Sequence, residues 1–217
     1  MKNLIILIVI ATLTLPCTDA LARSSGRDFA LELLYGASNS TLLPLNQSGK
    51  ALYGNTIFSN PVGLKLSWAA APLLNIGVSY SSTRWIDDKN LAVGANIYSN
   101  PRLNLTTFSP YIDLTPLALG RRPKKGITEG IFVEAGPSWT TLEEAFEISS
   151  HPYDFTSSAM SFDVRVGLRT FNRDALSFVS DITASIPVYS DGKRSESGLT
   201  LNGASSISFN AGVCVSF

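Results

Sequence analysis

The last thirteen residues of the chain, 205–217, read SSISFNAGVCVSF. Ile207, Phe209, Ala211, Val213, Val215 and Phe217 fall on one parity, and Ser206, Ser208, Asn210, Gly212, Cys214 and Ser216 on the other. In a strand, that period of two puts every apolar side chain on one face and every small polar one on the opposite face. The chain stops on an aromatic of the apolar face.

The other end sets a compartment. Lys2 precedes an apolar run from Leu4 to Leu15, then Pro16 and a small-residue site at Ala20-Leu21-Ala22. This is the order of a secretory signal peptide, and the run is shorter than the roughly 20 residues a membrane-spanning helix needs. The expectation is a signal peptide over 1–22 and a mature chain over 23–217. Leu15 and Pro16 are poor neighbours for a lipoprotein site at Cys17, which disfavours that reading.

The 17 basic and 17 acidic residues cancel, which points away from nucleic acid and from strongly charged partners. With Cys17 in the leader, Cys214 is left alone, so stability in an oxidising compartment has to come from the fold. Beyond the leader, apolar residues are interrupted every one or two positions. A membrane location would therefore use strands.

Eight segments carry the alternation: 28–38, 62–69, 75–82, 103–115, 130–140, 158–170, 176–188 and the terminal strand. Each is near the length of about 9 to 11 residues with which a tilted strand crosses a bilayer. The fourth is the least regular, because Tyr111 joins Asp113 on the polar parity. Pro110, Pro137 and Pro187 cannot donate to a ladder and are expected at bulges or strand ends. The connections run long, short, long, medium, long, short, long: 39–61, 70–74, 83–102, 116–129, 141–157, 171–175 and 189–204. Such alternation, with long loops outside and short periplasmic turns, belongs to an up-and-down membrane barrel. Its polar parity, rich in Gly, Ser and charges, suits a narrow interior. The expected fold is all-β, a single eight-stranded antiparallel barrel. With the first strand running outward, Phe29, Trp68 and Phe217 lie near the periplasmic rim and Tyr35, Tyr80 and Trp139 near the outer one, as two aromatic belts.

In this architecture and in its C-terminal pattern, the mature chain resembles the small eight-stranded outer-membrane barrels, such as the OmpA transmembrane domain and the Ail/OmpX/Lom proteins. The resemblance implies a location in the bacterial outer membrane. It implies that Phe209, Val213, Val215 and Phe217 form the assembly signal read by the barrel-assembly machinery, and that the protein is a monomer surrounded by membrane lipid and lipopolysaccharide.

The inward parity holds Glu32, Lys65, Asp113, Glu134, Asp163, Arg165, Arg169 and Asp181. Glu32 with Lys65, Glu134 with Arg165, and Arg169 with Asp181 are the expected cross-strand partners. Charges in so narrow an interior have to pair, since an unpaired buried charge costs several kcal/mol. The set reads as a structural plug of salt bridges, or as a gate over a small pore.

Catalytic material is thin. His151, the one histidine, lies in a predicted outer loop, with no serine spacing that suits a barrel hydrolase. Glu143, Glu144, Glu147 and Asp154 in the same loop offer carboxylates for a cation, though a solvated acidic loop is the commoner meaning. No metal, cofactor or enzymatic activity is expected. Arg121, Arg122, Lys124 and Lys125 form a basic turn that would face the periplasm and inner-leaflet headgroups. The tripeptides at Asn39, Asn46 and Asn104 match a glycosylation pattern that carries no meaning in a Gram-negative exporter. The expected role is surface presentation, with four loops on a rigid barrel contacting host molecules, neighbouring cells or the envelope. A small or gated pore is the alternative, and a lipid-modifying enzyme comes third.

Overall fold

The computed structural model describes residues 28–40, 57–71, 73–86, 91–93, 96–118, 130–148, 151–173, 176–196, 201 and 206–217. The proposed leader, the basic turn 121–125 and Asn46 lie outside the described residues. Ten strand segments make one sheet: β1 (Phe29–Ser40), β2 (Ile57–Ser59), β3 (Val62–Ala71), β4 (Leu74–Ile86), β5 (Leu91–Val93), β6 (Asn96–Ala118), β7 (Gly130–Ile148), β8 (His151–Arg173), β9 (Leu176–Ser190) and β10 (Ser206–Ser216). Because β2 pairs with β1 in line with β3, and β5 pairs with β6 in line with β4, the circumference crosses eight strands among the described residues. Each is antiparallel to the next, and β10 pairs with β1 from Ala30↔Ser216 to Ser40↔Ser206, which closes the barrel.

The two faces explain the closure. Leu33, Leu66, Val78, Ile112, Val166, Ile182 and Phe209 point outward and are exposed, while Glu32, Lys65, Asp113, Glu134 and Arg169 point inward and are buried. In water this distribution would be inverted. It is stable where lipid replaces solvent outside and where closure of the sheet leaves the membrane-spanning ladder without a free edge.

Two expectations are corrected. The stretch 141–157 is a strand pair rather than a loop: β7 runs on to Ile148, β8 begins at His151, and their register is unbroken from Gly130↔Arg169 to Ile148↔His151. His151 therefore opens a strand. The alternation changes sign above Thr140, with Leu142 and Phe146 continuing the inward parity of Glu134 and Ser138, so the pattern breaks off where only its polarity has changed. Likewise β4 and β6 take up parts of the predicted 83–102 loop.

The second correction concerns proline. Pro187 does sit at a register shift between β8 and β9. Pro110 and Pro137 instead lie in mid-strand. The β6–β7 register passes from Phe108↔Trp139 to Ile112↔Ala135 without a shift, so the two rings are opposite one another. Two missing donors on one seam leave a short unpaired stretch in the wall, where Ser109 Oγ donates to the Pro137 carbonyl at 2.9 Å.

A barrel without free edges should migrate faster on a gel before boiling than after, with a β-type circular dichroism spectrum in detergent. A helical spectrum, or mobility indifferent to boiling, would contradict the fold.

Candidate functional site

The lumen is filled at mid-height by one charged network. Lys65 Nζ lies 3.1 Å from Glu32 Oε2 and donates to Glu134 Oε2 as well. Arg165 donates from Nη1 to Glu134 Oε1 at 2.8 Å and stands 3.5 Å from Asp181. Arg169 donates from Nη2 to Glu32 Oε1 at 2.7 Å and to Asp113 Oδ2 at 3.1 Å. Neutral donors add to these contacts, while Asp113 Oδ1 and Asp181 Oδ2 stay without a hydrogen-bond partner. Asn75 Nδ2 reaches Asp113 at 3.1 Å, Asn210 Nδ2 reaches Asp181 at 2.6 Å, and Ser138 Oγ reaches Asp163 at 2.8 Å. Thr183 accepts from Arg165 Nε at 2.7 Å.

The structure thus brings Glu32 to Lys65 and Glu134 to Arg165. It does not bring Arg169 to Asp181. Asp181 is opposite Gly167, and Arg169 extends across the lumen to Glu32 on β1 and Asp113 on β6. In a barrel this narrow a long side chain spans the interior, so its partners need not sit on adjacent strands. Four carboxylates, Glu32, Asp113, Glu134 and Asp181, share three cations, Lys65, Arg165 and Arg169, so each cation bridges two acids.

Phe132 escaped the sequence reading, and Tyr111 was placed by its parity alone, without a role. Both are buried on the inward parity. Lys65 Nζ is 4.8 Å from the Tyr111 ring centre and 5.5 Å from that of Phe132, and the Arg169 guanidinium lies 4.6 Å from Phe132 on another side. Each ring lies over a glycine on the neighbouring strand, since Gly77 is opposite Tyr111 and Gly167 opposite Phe132. A Cβ at either glycine would run into the ring. The available signal was an aromatic on a polar parity facing a glycine on the paired strand.

Above the charged layer the interior turns apolar. Tyr98, Leu103, Leu142, Phe146, Ala159 and Leu201 form a buried cluster with Leu105, Tyr153 and Phe155 against it. Phe146 stacks on Tyr153 with ring centres 4.7 Å apart, and the backbone N–H of Glu196 donates to Tyr153 Oη at 3.0 Å. The end of β9 is tied down by Asp191, which accepts from Ser157 Oγ at 2.6 Å and from the Ser158 N–H at 3.0 Å. Between the charged layer and this cap a chamber of about 100 Å³ remains, with Lys65, Asp163 and Arg165 on its floor and serine and threonine hydroxyls on its walls. Among the described residues this cap is built from β6, β7 and β8 with Leu201, and it is the charged layer that fills the lumen.

On the outside, register defines the belts. Phe217 and Phe29 exchange backbone hydrogen bonds of 2.9 and 3.0 Å, their rings stack at 6.2 Å, and Trp68 is opposite Phe29 on β3. Phe217 is therefore part of the ladder that closes the barrel as well as of its surface. At the other rim Tyr80, Phe108, Trp139, Met160 and Tyr189 are successive cross-strand neighbours, and Phe108 stacks on Trp139 at 6.2 Å. Tyr35 is exposed on β1 opposite Val62 and Ala211. Phe209, Val213 and Val215 all lie on the outer face of β10.

The acidic residues of the former loop do not converge. Glu144 is buried in the cap while Glu143 and Asp154 face outward, and among the described residues no three His, Cys, Asp or Glu side chains gather as metal ligands would.

The closed eight-stranded wall has counterparts among solved structures. Ail, the attachment invasion locus protein of Yersinia pestis, superposes with a TM-score of 0.55 at 7% identity, covering 88% of this chain and 98% of that one. The fold is that of the small outer-membrane β-barrels. Ail bound to the heparin analogue sucrose octasulfate gives a TM-score of 0.54 at 10% identity over 88% of this chain and 99% of that one. Neisserial surface protein A gives 0.50 at 11% identity, covering 87% and 97%. No family model and no curated protein matches the chain.

Proposed function

We propose that this is an integral protein of the bacterial outer membrane that presents a rigid projecting sheet for contact with molecules outside the cell. The observation that carries this reading is the extension of β6, β7 and β8 beyond the outer aromatic row, held together by its own apolar core. Loops that only joined strands would need no such core. Among the described residues, β8 has ladder pairing from Pro152 to Ser157 with β7 alone, which gives a strand edge beyond the aromatic row with Pro152 and Asp154 on it. Such an edge suits addition of an extended segment from a partner, and a proline and a charge are features that limit promiscuous pairing. That Ail has been crystallised with a heparin analogue makes sulfated glycans a second class of ligand to test.

The charged network that fills the lumen supports a presenting rather than a conducting role. Purified protein in a planar bilayer should show no stepwise conductance. Cells expressing the protein should bind matrix proteins, complement components or heparin above the level of cells lacking it. Cells expressing a variant in which 143–156 is replaced by a tight turn should fall back to the background while keeping outer-membrane levels. Equal binding by all three would overturn the proposal, and regular conductance steps would favour a pore.

A further inference from the structure

One carboxylate of the lumen is left out of the charge pairing. The charged layer holds five inward carboxylates, Glu32, Asp113, Glu134, Asp163 and Asp181, against three cations, Lys65, Arg165 and Arg169. Four of the acids stand within 3.5 Å of a cation, whereas Asp163 has no ion pair among the described residues. Its Oδ1 accepts from the neutral Ser138 hydroxyl at 2.8 Å. With Asp113 Oδ1 and Asp181 Oδ2 also lacking a hydrogen-bond partner, the layer is short of positive charge and of donors together. Charge left uncompensated in a narrow interior is costly.

Asp163 faces the chamber above this layer, which measures about 100 Å³, several times the roughly 10–15 Å³ that one water needs. The cations on the same floor are already engaged. Lys65 is buried between Glu32 and Glu134, and Arg165 donates to Glu134 and Thr183, so neither is free to draw in an anion. Hydroxyls of Ser81, Thr83, Ser185, Ser206 and Ser208 line the walls, and Ser185 is directly opposite Asp163 on β9. Leu34, Pro61 and Leu105 add an apolar strip. Thr83 lies three residues beyond Tyr80, and Ser206 begins β10, so the chamber extends from the charged floor to the outer end of the barrel.

We infer that this chamber binds a small organic cation carrying a primary ammonium group, with the ammonium on Asp163. An ammonium has three donors and no acceptor, which matches a carboxylate set among hydroxyl oxygens, and its bond to the carboxylate is charge-assisted. A short alkyl stem has Leu34, Pro61 and Leu105 to lie against. A divalent metal is a poorer match, since it takes six or more oxygen ligands and a single carboxylate is on offer. The inference is independent of what the projecting sheet meets outside.

The full chain, isotope-labelled and refolded in nonionic micelles, is titrated with propylammonium, tetramethylammonium and potassium chlorides, and its amide shifts are followed by NMR. Asp163→Asn removes the charge at nearly constant shape. Ser208→Leu fills the chamber and leaves every charge in place, so it tests the same site should Asp163→Asn not refold. Glu196→Gln removes an equal charge from an exposed position outside the chamber. Heat-modifiable mobility verifies that each variant is folded. The expected result is saturable shifts at Asp163, Thr183, Ser185 and Ser208 with propylammonium. Binding should be at least tenfold weaker in Asp163→Asn and in Ser208→Leu, and should change less than twofold in Glu196→Gln. Tetramethylammonium, which has the charge without the donors, should also bind at least tenfold more weakly. Unchanged binding in Asp163→Asn or in Ser208→Leu would remove the site, and equal losses in Asp163→Asn and Glu196→Gln would reduce the effect to overall charge. Potassium or tetramethylammonium binding as tightly as propylammonium would overturn the assignment of an ammonium donor.

Discussion

Replacing Phe217 by Asp should leave export across the inner membrane intact and lower the outer-membrane level of the protein at least tenfold, with the remainder degraded or held in the periplasm. The Asp variant keeps the two backbone hydrogen bonds that Phe217 exchanges with Phe29, because those need no side chain. What it loses is the ring stacked on Phe29. A carboxylate near the interface of a barrel costs only about 0–1 kcal/mol, so the folded barrel should tolerate it. A large loss of assembly beside a small loss of stability would then mark Phe217 as part of the signal by which the closing strand is recognised. Deleting Phe217 removes the ring and both hydrogen bonds and should be worse on both measures. Tyr or Trp should preserve assembly, since either keeps an aromatic at the rim. Fractionation of expressing cells reads the first quantity, and urea unfolding of protein refolded in micelles reads the second. Normal outer-membrane levels of the Asp variant would refute the role given to the last residue.

The second large effect is expected inside the lumen. Arg169→Ala should destabilise the barrel by ~3–5 kcal/mol, because it leaves Asp113 buried without a cation and Glu32 with Lys65 alone beside a vacated space. Adding Asp113→Asn should recover part of the loss, since Asn75 can still bond the amide and the stranded charge is gone. The Glu134 and Arg165 pair should also be non-additive, with a smaller recovery because Glu134 serves Lys65 too. Urea midpoints in micelles, followed by tryptophan fluorescence, give all of these values. Strict additivity of Arg169→Ala with Asp113→Asn would show that the two groups do not share a network.

The difference between expected and observed partners of Arg169 shows where the reach of the sequence ends. Strand order, and which residues face inward, follow from a period of two that is local to each segment, so they were legible residue by residue. Pairing across the lumen depends on barrel width and strand stagger, which are properties of the closed sheet. Tyr111 shows the same division: its parity placed it inside, but the glycine opposite it on β4 becomes visible only once the register is known. In β7 the inward parity runs without a break from Glu134 to Phe146, yet its polarity changes at Leu142. A pattern defined by polarity ends there, although the strand does not.

Alternation along single strands was enough for the all-β class, the barrel strands and their inward and outward faces. Which charges meet across the lumen, the opposition of two prolines in mid-wall, and the rise of three strands past the outer aromatic row around an apolar core came from the folded barrel alone. Each of these depends on residues brought together from distant parts of the chain, and that proximity exists only once the barrel has closed.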